Sequence, residues 1–344
     1  MKSIINWAGS RENDLDMILP LLPTDIDKFV DPFLGGGDVY MNVEAKRYSV
    51  GDRCEPLMEI WRMAAAQMPG FLELLDMFCK GWTSLDRVFG GRVMDALGEV
   101  YDNYERGIIK SYQRLVSSVG RVLRDSDYGS ILQDAWCKKE DVWTELRHQI
   151  VVTMEQVKDN ARIQKEDAVK KRLRSATKEA FYEYLLYVFN KPGIRPQLRC
   201  AITLFVMNYA RGARYQVDSY DIFCPRYDGM AVDDLSIGER LAVIKSEAFK
   251  ERVARSQFYK KEFITMLNYE APAEKDFIFA DTPFTRGNKF FTLQSQEQLA
   301  GFLLTKTSAR WLLILNMKEP IIDVYQEHDL NFLPKGDELL IWNY

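Results

Sequence analysis

The sequence predicts an α/β fold in which a mixed sheet, assembled from both ends of the chain, is interrupted by an all-helical lobe. Three observations carry this. Short apolar, strand-like runs occupy the first seventy residues and return after residue 275. A run of three glycines, Gly35-Gly36-Gly37, directly follows the first such run. Between about Gly70 and Lys178 strand-like runs vanish, and apolar residues recur at helical spacing instead. The expected domains are therefore a sheet domain of residues 1–70 with 185–344 and a helical domain of residues 71–184.

Taken in order, Lys28-Phe29-Val30-Asp31 reads as a strand, the glycines as a turn and Asp38 to Lys46 as a helix. Tyr48 to Asp52 reads as a second strand, and a further helix starts near Glu55-Pro56, giving a βαβ unit with a right-handed crossover. In the lobe, Val100, Tyr101, Tyr104, Ile108 and Tyr112 mark helical periodicity. The stretch from Lys158 to Lys178 carries eight Lys/Arg against three acidic residues and includes Lys170, Lys171, Arg172 and Arg174. It suits a solvated helix face and a phosphate-contacting face equally well. Helices continue through Phe181 to Leu186 and Cys200 to Asn208, before an irregular aromatic and basic stretch from Tyr209 to Gly229. Asp276 to Ala280, Trp311 to Leu315 and Glu338 to Trp342 read as strands.

Composition bounds the function without naming it. The chain has 344 residues, long enough for a large core or two lobes. No apolar run has the length of a membrane span, and the N-terminus turns polar too soon for a secretory signal peptide. Cys54, Cys79, Cys137, Cys200 and Cys224 are scattered, and with only His148 and His328 beside them no metal site is expected. Reduced thiols and a cytoplasmic location are the expectation. A net charge of −4 argues against coating nucleic acid by bulk electrostatics, but leaves room for one local basic face.

Two stretches carry chemistry. Asp31-Pro32-Phe33-Leu34-Gly35-Gly36-Gly37 sits where a parallel strand turns, a place where glycines permit close backbone approach to a ligand. Asp52 ends the next strand, 21 residues after Asp31, a spacing that suits an acid on the ribose of a nucleotide-like cofactor. The glycines do not fit G-x-G-x-x-G, which disfavours a nicotinamide cofactor. A plain strand-end turn with an exposed acid is the alternative. The second stretch is Asp281-Thr282-Pro283-Phe284, at the end of a buried run. The Asp281 carboxylate and the Thr282 carbonyl can each accept one N–H of an exocyclic base amine. That grip aims the lone pair at an electrophile as charge develops. Phe284 offers a face on which an extrahelical base can stack. Alone, this motif is also compatible with an ordinary turn.

In combination the motifs resemble those of the Dam-type (class D12) DNA adenine methyltransferases, including phage members. The family's aromatic-x-G-x-K corresponds to Trp7-Ala8-Gly9-Ser10-Arg11, its F-V-D/E-x-F-x-G-G to Phe29 through Gly36, and its second acidic motif to Asp52-Arg53-Cys54-Glu55-Pro56. Its catalytic D-P-P-Y corresponds to Asp281 through Phe284, and its closing E-x-x-I-x-N-Y to Glu338 through Tyr344. The resemblance implies a Rossmann-like S-adenosylmethionine-dependent methyltransferase sheet with an inserted helical target-recognition lobe. It implies methyl transfer to N6 of adenine in duplex DNA by base flipping, in a restriction–modification or Dam-like setting. S-adenosylmethionine would be bordered by Trp7, Arg11, Asp31, Phe33 and Gly35 to Gly37, with Asp52 on the ribose and Phe263 near the adenine. Asp281, Thr282, Pro283 and Phe284 would be catalytic. The stretch from Gly212 through Gly229 resembles the family's DNA-contacting hairpin, with Arg214 one place out of register from the usual arginine. Arg211, Arg214, Tyr215 and Arg226 would contact DNA there, and Lys170, Lys171 and Arg172 would add phosphate contacts. One flipped base needs one active site, so a monomer acting on double-stranded DNA is expected.

Three positions depart from the family pattern: Thr282 stands for proline, Phe284 for tyrosine and Arg11 for lysine. If Thr282 serves only through its carbonyl, Thr282→Pro should preserve or raise turnover by pre-setting φ. The departures keep two other readings open: a degenerate homologue that binds cofactor or DNA with little turnover, and an amino-methyltransferase on cytosine N4 or RNA.

Overall fold

The computed structural model describes residues 1–128, 131, 138–159, 166–229, 236–285 and 290–344. Cys137, and Arg162 and Lys165 of the basic run, lie outside these residues. The chain divides into two compact units, Met1–Met68 with Ala242–Tyr344 and Pro69–Leu241.

The first unit is built on a seven-stranded sheet. Its strands are β1 (Lys28–Asp31), β2 (Arg47–Asp52), β3 (Ser256–Lys260), β4 (Phe277–Asp281), β5 (Arg310–Asn316), β6 (Asn331–Lys335) and β7 (Glu338–Trp342), in the order β3-β2-β1-β4-β5-β7-β6. Pairing is parallel from β3 across to β5, and β7 runs antiparallel to both β5 and β6. This mostly parallel seven-stranded sheet is the Rossmann-like α/β architecture that the sequence implied. The five strands foreseen are the buried ones. Phe29 of β1, for example, lies stacked 6.2 Å from Phe277 and 6.2 Å from Phe279 of β4. The two unforeseen strands, β3 and β6, are the sheet's edges and are only partly buried. Their polar sequences carry no apolar run, and Pro334 is tolerated in β6 because an edge strand can spare a donor.

The helix expected over Asp38 to Lys46 is absent. The segment forms overlapping turns, with Met41 N–H on the Gly37 carbonyl and Val43 N–H on the Val39 carbonyl, each at 2.8 Å. Its carbonyls are then taken by side chains from elsewhere. Arg252 Nη1 donates to the Tyr40 and Val43 carbonyls at 2.8 and 2.6 Å, and Tyr48 Oη donates to Val43 at 3.2 Å. These capped carbonyls leave little for a continuing helical ladder.

In the second unit the main helices are Pro69–Val88, Gly91–Glu105, Tyr112–Arg124, Lys139–Lys158, Glu166–Phe189 and Pro196–Tyr209. Among the described residues of this unit the β-pairing consists of the isolated bridges Ala210↔Tyr227 and Val217↔Phe223. The unit runs on to Leu241, so residues 185–241, which the sequence had placed with the sheet, cluster with the helices. The reason is visible in Pro196–Tyr209, which is buried almost all round, with Phe205 edge-on to Phe78 at 5.7 Å and to Trp82 at 5.4 Å. The periodicity through Ile108 and Tyr112 crosses a break. Gly107 adopts φ 72°, Ser111 caps the next helix through Arg114 N–H, and both Ile108 and Tyr112 are exposed.

Candidate active site

Strand order reverses beside β1: β2 and β3 lie to one side and β4 to the other. At such a switch point the connections diverge and leave a crevice beyond the carboxyl ends of the strands, where α/β sheets bind ligands. Asp31, Asp52 and Asp281 are the last residues of β1, β2 and β4, so three carboxylates converge on that edge.

The glycine turn forms one wall. Gly35 and Gly37 have φ of 50° and 75°. A Cβ on Gly37 would come within 2.7 Å of the Trp61 ring, so neither backbone nor space admits a side chain there. Trp7 covers the turn, 3.5 Å from where a Cβ on Gly35 would stand. Asp31 is buried and accepts Phe33 N–H at 2.9 Å. Burial pushes its carboxyl well above the usual carboxylate range, and the neighbouring Asp281 and Asp52 charges add to that shift. Asp52 accepts Cys54 N–H at 2.8 Å and Gly35 N–H at 3.3 Å, tying the turn to the start of the next helix. Burial raises its pKa as well, against those two bonds.

Phe33 is stacked on Phe263 with ring centroids 5.3 Å apart and meets Phe291 edge-on at 5.5 Å. The sequence pointed to the first two. Phe291 was missed, since one of a Phe-Phe pair upstream of a helix carries no distinctive signal.

Beside the turn, Arg11 grips Asp281 in a two-pronged fork, with Nε on Oδ2 at 2.7 Å and Nη2 on Oδ1 at 2.6 Å. Its Nη1 donates to Glu338 Oε2 at 2.6 Å and to Asp14 Oδ2 at 3.3 Å. Asp14 is also ion-paired with Lys335. Burial raises the Asp281 carboxyl, and the Arg11 fork pulls in the opposite direction. Arg11, expected at the cofactor's border, thus bears directly on the carboxylate of the second motif. Glu338 and Asp14 were not foreseen as parts of the site.

The rest of the motif is held by the strand beyond. Thr282 is buried, and both its backbone N–H (3.2 Å) and its hydroxyl (3.0 Å) donate to the Ile314 carbonyl of β5. Pro283 is exposed and Phe284 is 50% exposed, leaving an aromatic face free. The following Thr285 donates from its N–H and hydroxyl to the buried carboxylate of Glu319, at 2.9 and 2.5 Å.

The residues expected to meet DNA belong to the second unit. Arg211, Arg214 and Arg226 are exposed, and Tyr215 packs on Phe223 at 4.7 Å. Arg211 N–H donates to the Arg226 carbonyl at 2.8 Å, so the bridged segment holds two of the arginines side by side. Lys170 is ion-paired with Asp95 at 3.0 Å, whereas Lys171 and Arg172 are exposed. Three consecutive helical positions fan over about 200° and do not share one face.

Residues 7–83 match the D12 class N6 adenine-specific DNA methyltransferase family. The resemblance read from the sequence is borne out over this stretch, which includes Trp7, Arg11, Asp31, the glycine turn and Asp52. The modification methylase StsI of Streptococcus sanguinis is 41% identical over 69 residues, covering 20% of this chain and 11% of the relative. The type II methyltransferase M.FokI of Planomicrobium okeanokoites is 42% identical over 52 residues, covering 15% and 8%. The chain therefore aligns with only about a tenth of the length of these curated relatives. Asp281 and Glu338 lie outside the D12 match, and their assignment rests on the sheet that brings them to it.

Proposed function

We propose that the chain transfers a methyl group from S-adenosylmethionine to N6 of adenine in duplex DNA, acting on a base flipped out of the stack. The observation that carries this reading is the placing of Asp281-Thr282-Pro283-Phe284 at the end of β4, across the switch point from the glycine turn of a D12-type N-terminal segment.

The residues present fit the cofactor. The glycine turn bears no side chains of its own and Gly35 is partly exposed, Asp52 keeps lone pairs beyond its two backbone bonds for ribose hydroxyls, and Phe33, stacked on the buried Phe263, supplies a flat apolar surface for an adenine. When bound, S-adenosylmethionine supplies an electrophilic methyl group on a sulfonium. Asp281 accepts one N–H of the target amine and the Thr282 carbonyl accepts the other, so the amine nitrogen presents its lone pair. The Arg11 fork occupies one lone pair on each Asp281 oxygen and leaves the others for the amine. A methylated amine must shed one proton, and the Asp281 carboxylate, bonded to one of its N–H groups, would stabilise the developing positive charge and take that proton or pass it to solvent. Phe284 stacks on the extruded base.

The second unit serves as the target-recognition lobe in this reading, with Arg211, Arg214 and Arg226 on DNA phosphates or bases and the protein acting as a monomer. Neutralising the three arginines together is expected to weaken DNA binding across sequences. It should also flatten the slope of log affinity against log salt, by about 0.9 for each phosphate no longer neutralised. An unchanged slope in a salt titration would remove them from the interface. Asp52→Ala is expected to weaken S-adenosylmethionine binding by about 1.5–3 kcal/mol for each ribose hydrogen bond lost, the value of a bond to a charged acceptor. Calorimetry beside a melting curve checks this, because the same change frees Gly35 and Cys54 N–H groups.

The test of the reading itself is transfer of a tritiated methyl group to unmodified DNA, followed by nucleoside analysis. Label in N6-methyladenine is the expected result. Label in N4-methylcytosine, label only on RNA, or no label despite cofactor binding would each overturn it.

A further inference from the structure

We propose that Glu338 is a positioning residue for methyl transfer, fixing the Arg11 fork that orients the Asp281 carboxylate. The inference rests on the reading of Asp281 as the group that grips the target amine.

The geometry argues for it in three steps. Arg11 directly precedes the short 3-10 turn Glu12–Asp14 and its N–H is held by Asp38 at 2.7 Å, so its backbone is anchored while its side chain is directed by the carboxylates it meets. Glu338 opens β7 and Asp281 closes β4, and β5 alone separates these strands in the sheet. Two strand spacings put the backbones roughly 9–10 Å apart, and the Asp281 and Glu338 side chains close that gap onto a guanidinium whose donors are held in a fixed planar fork. Arg11 uses its Nε–Nη2 edge on Asp281 and turns Nη1 to Glu338 at 2.6 Å, so its orientation is defined from both sides. Asp14 is a weaker support: it lies 3.3 Å from Nη1 and is also engaged by Lys335. The side chains of Arg11, Asp281 and Glu338 are only 13–18% exposed, so water screens these contacts little. Removing Glu338 leaves Nη1 with the longer Asp14 contact alone, so the fork and the Asp281 carboxylate it grips are held less firmly in direction.

The test compares Glu338→Ala, Glu338→Gln, Glu338→Asp, Arg11→Ala and the double variant Arg11→Ala/Glu338→Ala in the full chain. The readouts are single-turnover transfer at saturating cofactor and DNA, KM for both and melting temperature. Glu338→Ala is expected to slow transfer by about 10²-fold, as a misplaced reacting group does, with KM values unchanged. Glu338→Gln should recover most of the rate, since its amide oxygen still accepts from Nη1. Glu338→Asp keeps the charge but falls one methylene short and should be slow; it also serves if the alanine variant does not fold. In the Arg11→Ala background, Glu338→Ala should bring no further loss. Wild-type rates in Glu338→Ala or Glu338→Asp would overturn the inference, and so would equal losses from Glu338→Ala in both Arg11 backgrounds. A Gln variant as slow as the Ala variant would assign the effect to charge instead of position, and also overturns it. Asp281→Ala separates the two levels. Transfer that persists there overturns the reading of Asp281 itself, whereas an inactive Asp281→Ala beside a fast Glu338→Ala overturns only the role of Glu338.

Discussion

Asp281→Ala is expected to lower single-turnover methyl transfer by about 10²–10³-fold or more, while DNA affinity changes little. The size follows from what the carboxylate does: it is a preorganised acceptor aimed at charge that develops as the amine attacks, and losing one such group costs on this order. DNA affinity is spared because it comes mainly from phosphate contacts, and Asp281 is a largely buried carboxylate at the end of β4. The alanine variant has a second consequence. It removes the main partner of a largely buried guanidinium, and breaking a buried pair from one side typically destabilises by about 3–5 kcal/mol. Glu338 and Asp14 still neutralise Arg11, so the loss should fall at or below the low end of that range. Asp281→Asn separates the two effects. Its amide oxygen keeps one of the two Arg11 bonds and the shape is kept, whereas the NH2 faces the other Arg11 donor and the negative charge presented to the amine is gone. Transfer should be lost in both variants, with melting temperature reduced more in the alanine one. Asn-variant transfer near the wild-type rate would show that the carboxylate charge is not used.

How much of this was legible in the sequence depended on whether the information was local. β4, β5 and β7 are buried and wrote themselves as continuous apolar runs such as Phe277-Ile278-Phe279-Ala280, while the buried β1 and β2 were short and were marked by the acids that end them and the glycine turn between them. β3 and β6 form the sheet's edges, where half of each strand faces outward and side-chain polarity hides the strand. The Asp38 to Lys46 segment looked helical because its residues are. It turns instead because Arg252, more than 200 residues away, takes its carbonyls. The same division holds at the site. Asp31, Asp52 and Asp281 could be found because each ends a recognisable strand. The contacts that organise them could not, since Arg11 meets Asp281 and Glu338 across 270 and 327 residues and no local pattern encodes such a meeting. A family resemblance named Arg11 without revealing that its partner is the carboxylate of the second motif.

Thr282→Pro is where sequence and structure give opposite expectations. Were the carbonyl of residue 282 its only contribution, proline would match the family pattern and hold φ for the grip, with turnover kept or raised. The structure gives Thr282 two further tasks. Its N–H extends the β4–β5 pairing one residue beyond Asp281, at 3.2 Å from the Ile314 carbonyl, and its hydroxyl donates to the same oxygen at 3.0 Å. Proline removes both donors at once. Ile314 is almost fully buried, so its carbonyl would lose two partners where water has poor access. An unsatisfied buried acceptor costs about 1–3 kcal/mol, and the strand end has the option of shifting to avoid that cost. Any such shift moves Asp281 and the Thr282 carbonyl together, and about an ångström is enough to cost roughly 10²-fold in rate. Thr282→Val keeps the N–H and the shape and loses only the hydroxyl, at about 0.5–1.5 kcal/mol for one hydrogen bond. The expected order of single-turnover rate and of melting temperature is therefore wild type, then Thr282→Val, then Thr282→Pro. A proline variant as fast and as stable as wild type would show that the anchoring to β5 is dispensable and that the carbonyl alone makes this position work.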